Sequence, residues 1–411
     1  MPSRGVLAYP AFVRMWFSDT ASSLGAFTFG LALQLLLIET LSADQAAIGF
    51  VRSAQWLPAL AVGLLAGVLI DRVRRRPVLI AADAVTALAA GAIGALALTG
   101  LLTVPVLAAL VALVGAASMF YHAAHQSYLP RLVPMELLPV ANARIEQTAT
   151  AAEAIGPLVG GVLIKLSSAP VAILFTAASR AASAALLASI RVEEPAPQRQ
   201  PDRHLWRELK QGGSWVYRHR TLARYAVSLH LWFLSNSAIM TVFVFHATEV
   251  LGLDALTVGL VLSCAGVSGV IGAGLAPRAA ERFSVGPVCV VAMWLHPVAF
   301  LFLLFAPPGF AGAALLVVGQ LVNGLGAGLK GPLDLSYRNA VTPDRLRARM
   351  NGTIRAFNWG SIAVAAPLAG LTATMYGNRP VIAVGIAGLV AAALVLSLSP
   401  FRSARMPAAY A

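Results

Sequence analysis

Apolar residues run in stretches of about twenty along almost the whole chain, separated by short polar turns. The runs cover residues 13–38, 47–70, 78–99, 104–122, 142–165 and 169–190, then 222–248, 255–276, 285–306, 311–333, 350–374 and 379–400. About 20 apolar residues in a helix cross the hydrocarbon core of a bilayer. A strand would leave its amides unpaired in lipid, so each run is expected to be helical. The pattern predicts an all-α polytopic membrane protein with twelve transmembrane helices. Its one long polar interruption is 191–220, which opens with Pro195, Pro197 and Pro201. Asp202 then offers an N-cap, and Leu205, Trp206 and Leu209 alternate with Arg203, Arg207 and Lys210. That order reads as a linker leading into a short amphipathic helix on the inner leaflet, with a solvated charged linker as the alternative.

The twelve runs repeat as six and six. At an offset of 209, Ser127-Tyr128 meets Ser336-Tyr337, Pro134 meets Pro343, Asn142 meets Asn351, Ile145 meets Ile354 and Gly161 meets Gly370. At an offset of 210, Arg14, Ser18 and Pro157 meet Arg224, Ser228 and Pro367. Alanine and leucine coincide by chance in such a chain, whereas Tyr, Pro and Asn in one register do not. The expected organisation is a six-helix half at 1–190, a cytoplasmic linker with its amphipathic helix at 191–220, and a second half at 221–411. Parallel six-helix repeats suit a transporter that rocks two halves about a midplane site.

Composition agrees with a membrane class and removes others. Of 411 residues 58% are apolar and only 11% charged, against roughly 25% charged in soluble proteins. The net charge of +13 raises the question of nucleic acid, but its placement answers it. Of 30 Lys and Arg, 26 fall at one set of helix ends and tails, three (Arg52, Lys165, Arg379) at the other, and Arg180 inside a span. This is positive-inside asymmetry, so a multi-pass membrane protein with both termini cytoplasmic is expected, and the resemblance given below implies a bacterial inner membrane. The lipid bilayer is therefore an expected partner, nucleic acid is not, and a monomer is expected. Met1–Asp19 lacks a short apolar core followed by a small-residue cleavage site, so the first helix is expected to be retained. Cys264 and Cys289 both fall in spans and read as packing residues. No Walker loop, metal-spaced Cys/His set or nucleophile motif is legible, so neither an enzyme nor a primary pump is supported, and no cofactor or metal is expected.

The stretch from Gly67 to Pro77 places an acid, Asp71, among Arg72, Arg74, Arg75 and Arg76 between two apolar runs. Topology accounts for the arginines but poorly for Asp71. The stretch resembles the G-x-L-x-D-R-x-G-R-[RK] signature between helices 2 and 3 of the major facilitator superfamily. Gly67, Leu69, Asp71, Arg72, Arg75 and Arg76 match it, and Arg74 stands where the pattern has Gly. The resemblance covers nearly the whole chain and implies a major facilitator fold. It also implies a gating role for Gly67, Asp71, Arg72, Arg75 and Arg76, with the acid meeting the start of helix 11 when the inner gate is shut. The corresponding place in the second half keeps only Arg278, Glu281 and Arg282.

In the fifth run, Gly156-Pro157-Leu158-Val159-Gly160-Gly161 would permit a bend and close helix packing. Its order resembles the core of the antiporter motif of proton-driven drug exporters, with Ala143 and Ala152 at the places of the upstream glycines. Glu153, one turn before Pro157, counts to mid-depth, where a charge costs about 2.5–3.5 kcal/mol and is functional by default. Glu153 reads either as the proton-coupling acid or as a structural partner of Arg180 on the next run. Glu146 and Asp19 read as vestibule acids or as partners of Arg144 and Arg14. Asp83 is expected to pair with a loop arginine. The fourth run has Gly115-Ala116-Ala117-Ser118 and no arginine, so the family's proton-linked basic residue is absent there. His230, Asn236, His296 and Asn323 read first as hydrogen-bonding residues within spans. Trp16, Trp56, Trp232, Trp294, Trp359, Phe120 and Phe357 read either as an aromatic pocket or as interface anchors.

The segments Lys210–Arg220 and Leu132–Asn142 look like the superfamily branch of siderophore (enterobactin-type) exporters and macrolide-efflux proteins. The expected function is proton-coupled efflux of a bulky, partly hydrophobic small molecule by alternating access, with protons and that molecule as partners. The alternatives are transport of a lipid or nutrient without protons, and a transport-dead sensor or scaffold on the same fold.

Overall fold

A computed structural model describes residues 5–61, 73–192, 194 and 205–407. Among these residues the structure is helical throughout, without strands. The helices are α1 (Pro10–Leu35), α2 (Gln45–Ala61), α3 (Arg75–Leu98), α4 (Val104–Tyr128), α5 (Leu138–Leu166) and α6 (Ala169–Ser189), then α7 (Leu205–Arg218). The second set is α8 (Leu222–Phe245), α9 (Ala255–Phe283), α10 (Val285–Leu304), α11 (Phe310–Ala340), α12 (Asp344–Tyr376) and α13 (Asn378–Ser397). Eleven of them are long and apolar enough to cross a membrane among the described residues. The twelfth, α2, is described to Ala61 and then meets the undescribed residues 62–72. The architecture is a twelve-helix membrane fold in two sets of six.

The helix starts follow from local chemistry. Proline stands in the first turn of α1, α4 and α6, where its missing N–H has no helical partner to lose. Asp254 caps α9 by accepting from Thr257 N at 2.9 Å. Interior prolines, Pro157 in α5 and Pro367 in α12, sit at equivalent places of the two sets. The repeat seen in the residues is thus also a repeat of elements. Helix α2 and α9 begin at Gln45 and Ala255, and α3 and α10 at Arg75 and Val285, each 210 residues apart. Helix α1 ends in a π-helical turn, Leu36–Thr40, and α8 ends in the same device at His246–Val250.

The chain divides into two compact units. One comprises residues 1–43 and 54–203, in which α1 packs on α5 and α6, and α3 on α4 and α6. The buried residues Phe12, Met15, Leu79, Tyr121, Tyr128 and Leu187 belong to one apolar core there. The other unit comprises 44–53 and 204–411 and repeats the same pairings, α8 with α12 and α13, and α10 with α11 and α13. Its core includes Tyr225, Met293, Tyr337, Ile354 and Phe401.

Helix α7 joins the second unit by packing on α12 and α8, and Asp44–Ser53, which carries the start of α2, groups with that unit too. Ser53 Oγ donates to Ala363 O at 2.6 Å, and Ala46 N donates to Thr374 Oγ1 at 3.1 Å. Gly370 makes this approach possible, since a Cβ there would press on the backbone of Gln45 and Ala46.

Candidate functional site

Of the residues expected to form the gate, Gly67, Asp71 and Arg72 lie outside the described residues. The two remaining arginines hold the first unit together. Backbone N–H groups of Arg75 and Arg76 donate to the Glu194 carboxylate at 2.6 and 2.9 Å. The acid thereby caps the N-terminus of α3, where free amides and the helix dipole favour an anion. The Arg76 guanidinium donates to the carbonyls of Leu187 and Ala188 at 3.1 and 2.6 Å, closing the last turn of α6. Sequence reasoning saw these arginines as topology and gate, and missed Glu194.

The helix-5 glycines meet α1. Gly156, Gly160 and Gly161 are buried, and a Cβ on Gly156 would collide with Phe27. Thr28 Oγ1 donates to Gly156 O at 3.2 Å across this contact. Pro157 continues the helix at a half-buried position. Glu153 and Glu146 are instead exposed on α5, two turns apart on one face. Among the described residues neither makes an ion pair, so Arg180 is not the partner of Glu153.

The partner of Arg180 is Asp83. Arg180 Nη1 donates to Asp83 Oδ1 at 2.9 Å, joining α6 to α3. The expectation that Asp83 pairs with a loop arginine is therefore corrected, because Asp83 is wholly buried and faces α6 and α1. Its remaining lone pairs are met by hydroxyls. Ser22 donates to Oδ1 at 3.2 Å, and Ser183 donates to Oδ2. Ser18 and Ser183 share a bond of 2.6 Å. Burial of this kind is tolerated only with full pairing.

One turn along α1, Asp19 is 7% exposed and faces α4 rather than Arg14. His125 Nε2 lies 3.2 Å from its Oδ1, and Tyr121 OH donates to the same oxygen at 3.3 Å. Arg14 donates to Ser189 O at 2.6 Å instead. The Tyr121 ring stacks on His125, with centroids 5.8 Å apart, and the Arg180 guanidinium lies 5.9 Å from the Tyr121 centroid. Asp19, Asp83, Arg180, His125 and Tyr121 thus form one polar cluster drawn from α1, α3, α4 and α6.

The second unit holds a different set. On α11, Lys330, Asp334 and Arg338 succeed one another at helical spacing, and the first two are only 6% and 8% exposed. Arg338 Nε lies 2.7 Å from Asp334 Oδ1. Lys330 Nζ lies 4.2 Å from the Trp232 ring centroid, a cation–π contact with α8. Lys330 falls inside the expected run 311–333 and Asp334 just past its end, neither singled out from the sequence, whereas the helix continues to Ala340. Their i, i+4, i+8 spacing was the available signal. Of the span residues read as hydrogen-bonding, His230, His296 and Asn323 make such bonds. His296 Nδ1 and Asn323 Oδ1 are 2.7 Å apart. His230 bridges Asn358 at 2.7 Å and Tyr217 at 2.9 Å. Trp16 and Trp294 spend their indole N–H groups on Thr148 and Ser397.

No group of three or more metal-capable side chains occurs among the described residues. What the geometry offers is buried charge inside helix bundles. The chain is 28% identical over 413 residues to the uncharacterized MFS-type transporter y4rN of Sinorhizobium fredii (strain NBRC 101917 / NGR234), covering 97% of both chains. Its fold matches a mutant of the nucleoside transporter NupG with a TM-score of 0.80 at 14% identity, over 94% of this chain and 98% of that one. A bacterial homologue of the iron transporter ferroportin in an inward-facing state matches with a TM-score of 0.76 at 16% identity, over 98% and 100%. At such identities the likeness speaks for the fold alone. The Major Facilitator Superfamily sequence model matches residues 15–284 and 225–408. The chain belongs to the Major Facilitator Superfamily, as a multi-pass membrane transporter.

Proposed function

We propose that the chain is a proton-coupled exporter of a bulky, partly apolar small molecule. Asp19 and His125 carry the coupling proton. The charge count of the first-half cluster supports this reading above all. Two buried carboxylates, Asp19 and Asp83, face one permanent cation, Arg180. Arg180 bonds Asp83, so Asp19 is left with His125 and the Tyr121 hydroxyl. One proton on the Asp19–His125 pair makes the cluster neutral, and its loss leaves a buried negative charge. Uncompensated buried charge is costly. The protonated and unprotonated clusters therefore favour different degrees of water access, which is how a proton biases a two-state carrier.

Export follows from the Gly156-Pro157-x-x-Gly160-Gly161 order and from its use in the α1–α5 contact. Glu153, exposed on the same helix, serves as a second protonatable acid on the route. The halves at 1–190 and 221–411 rock about a midplane cavity, Asp71 latches the inner gate, and the arginine-rich ends face the cytoplasm of a bacterial cell. The nucleoside and ferroportin-type relatives in fold carry unlike cargoes on this architecture, so the cargo must be found by assay.

The test uses the full chain in proteoliposomes with an imposed pH gradient, a pH dye inside, and macrolides or hydrophobic dyes as cargo. Wild type moves protons when cargo is added. Asp19→Asn and His125→Gln lower that flux at least about tenfold while still binding cargo, and Glu153→Gln gives a smaller loss. Unchanged proton flux in Asp19→Asn would remove Asp19 from the coupling route. Cargo movement indifferent to the gradient would reject proton coupling itself.

A further inference from the structure

Helix α7 is held in place. Val216 is wholly buried, and Trp215 Nε1 donates to Thr342 Oγ1 at 3.2 Å. Gly212 is buried against α12, where a Cβ would lie 2.6 Å from Arg349 O. Arg349 donates to Gln211 Oε1, tying the two helices across the contact. Between α7, the turn that follows it and the first turns of α12 lies a cavity of about 880 Å³. Lys210, Arg218, Arg220, Arg345 and Arg349 line it, and no carboxylate does among the described residues. Asp344, beside it in sequence, is paired with Arg347 at 2.8 Å.

Topology alone explains cations at this end of the bundle. It does not explain four of them, Lys210, Arg218, Arg220 and Arg345, gathered around one concave space built on hydrogen-bonded helices, where like charges repel. An anion in the cavity removes that conflict. Arginine forks fit phosphate oxygens in bidentate fashion. The Nδ1 atom of His219 accepts from the N–H groups of Thr221 and Leu222, so its Nε2 carries the hydrogen, and burial holds the ring below the usual histidine range. His219 therefore adds a neutral donor to the cavity wall. Trp215 and Leu346 add an apolar side, and α8 and α12, which start at the cavity, run on as membrane spans.

We propose that this cavity binds the phosphate headgroup of an anionic phospholipid, with the acyl chains lying along α8 and α12. Basic pockets at helix ends are suited to such headgroups. The lipid holds α7 against α12 and so fixes the start of the second half.

The experiment uses the full chain in phosphatidylcholine nanodiscs with graded phosphatidylglycerol, read by native mass spectrometry and by thermal unfolding. Wild type is expected to retain phosphatidylglycerol over phosphatidylcholine at least about tenfold and to unfold at higher temperature with it. Arg220→Gln/Arg345→Gln loses both effects. Arg278→Gln/Arg402→Gln, which removes the same charge from exposed sites elsewhere, keeps them. Should the first variant fail to assemble, Arg218→Gln, exposed on the last turn of α7, is compared in its place. Equal retention in pocket and control variants overturns the proposal. So does protection by soluble pyrophosphate in pure phosphatidylcholine equal to that by the lipid, which would make the ligand a free anion.

Discussion

Helices α3 and α10 begin 210 residues apart, at Arg75 and Val285, and pack on equivalent neighbours. Where α3 buries Asp83, however, α10 buries Met293 at the same offset. The rest of the network changes with it. At an offset of 209, Arg180 becomes Leu389, and Ser183 becomes Ala392. Tyr121 and His125 become Lys330 and Asp334, and Ser22 becomes Trp232 at an offset of 210. One contact survives the change. Ser18, bonded to Ser183, becomes Ser228, whose hydroxyl donates to Ala392 O at 2.7 Å. The second half therefore builds the same helix pairings with a dry methionine and leucine. A six-helix bundle of this design does not need the Asp83–Arg180 pair in order to fold. Buried ion pairs are commonly no better for stability than apolar residues of similar size. The Asp83–Arg180 pair stands in the first half only, while the second half buries its own pair, Asp334–Arg338, on α11, so the two halves differ in where they place charge.

The comparison breaks first at Asp83. Asp83→Asn leaves Arg180 buried without its anion and should lower stability by about 3–5 kcal/mol, measured by thermal unfolding in detergent. Asp83→Met/Arg180→Leu, which copies the second half, should recover most of that loss while abolishing coupled transport. A double variant as unstable as the single one would show that the halves do not tolerate each other's packing. The second contrast lies in the sequence repeat. Asp71 and Glu281 stand 210 residues apart, each followed by arginine. Asp71→Asn should move cysteine accessibility of the cavity toward the inward-open state, whereas Glu281→Gln should leave it unchanged. Equal responses would make the latch symmetric. The smallest effect is expected at Lys330. Lys330→Met removes one cation–π contact and one buried like-charge neighbour of Arg338, so stability should change by about 1 kcal/mol or less, with proton coupling intact. Loss of coupling there would move the proton route into the second half.

The residues that sequence reasoning misplaced share a cause. Arg180 had two buried-looking acids to choose from, Asp83 and Glu153, and the choice depends on how α3, α5 and α6 are rotated about their axes. At 3.6 residues per turn, one residue changes the facing direction by about 100°. The count of residues along a span gives depth and not direction, so it could not tell that Glu153 is exposed on α5. Lys330 and Asp334 were not singled out because they stand where the apolar run ends near 333, although the hydrogen-bonded helix runs seven residues further, to Ala340. Glu194 carried no periodic signal, since its role as a cap arises only when the chain returns to the start of α3.

The sequence by itself determined the class, the twelve-helix architecture and the repeat. Those follow from the length and apolarity that a bilayer imposes on each segment, which are properties of a chain read in one dimension. Only the tertiary structure decided which acid meets which base, that α7 and Asp44–Ser53 pack with the second unit, and that five cations surround one cavity. These depend on helix rotation and on contacts between residues roughly a hundred or more positions apart, and no local pattern encodes them.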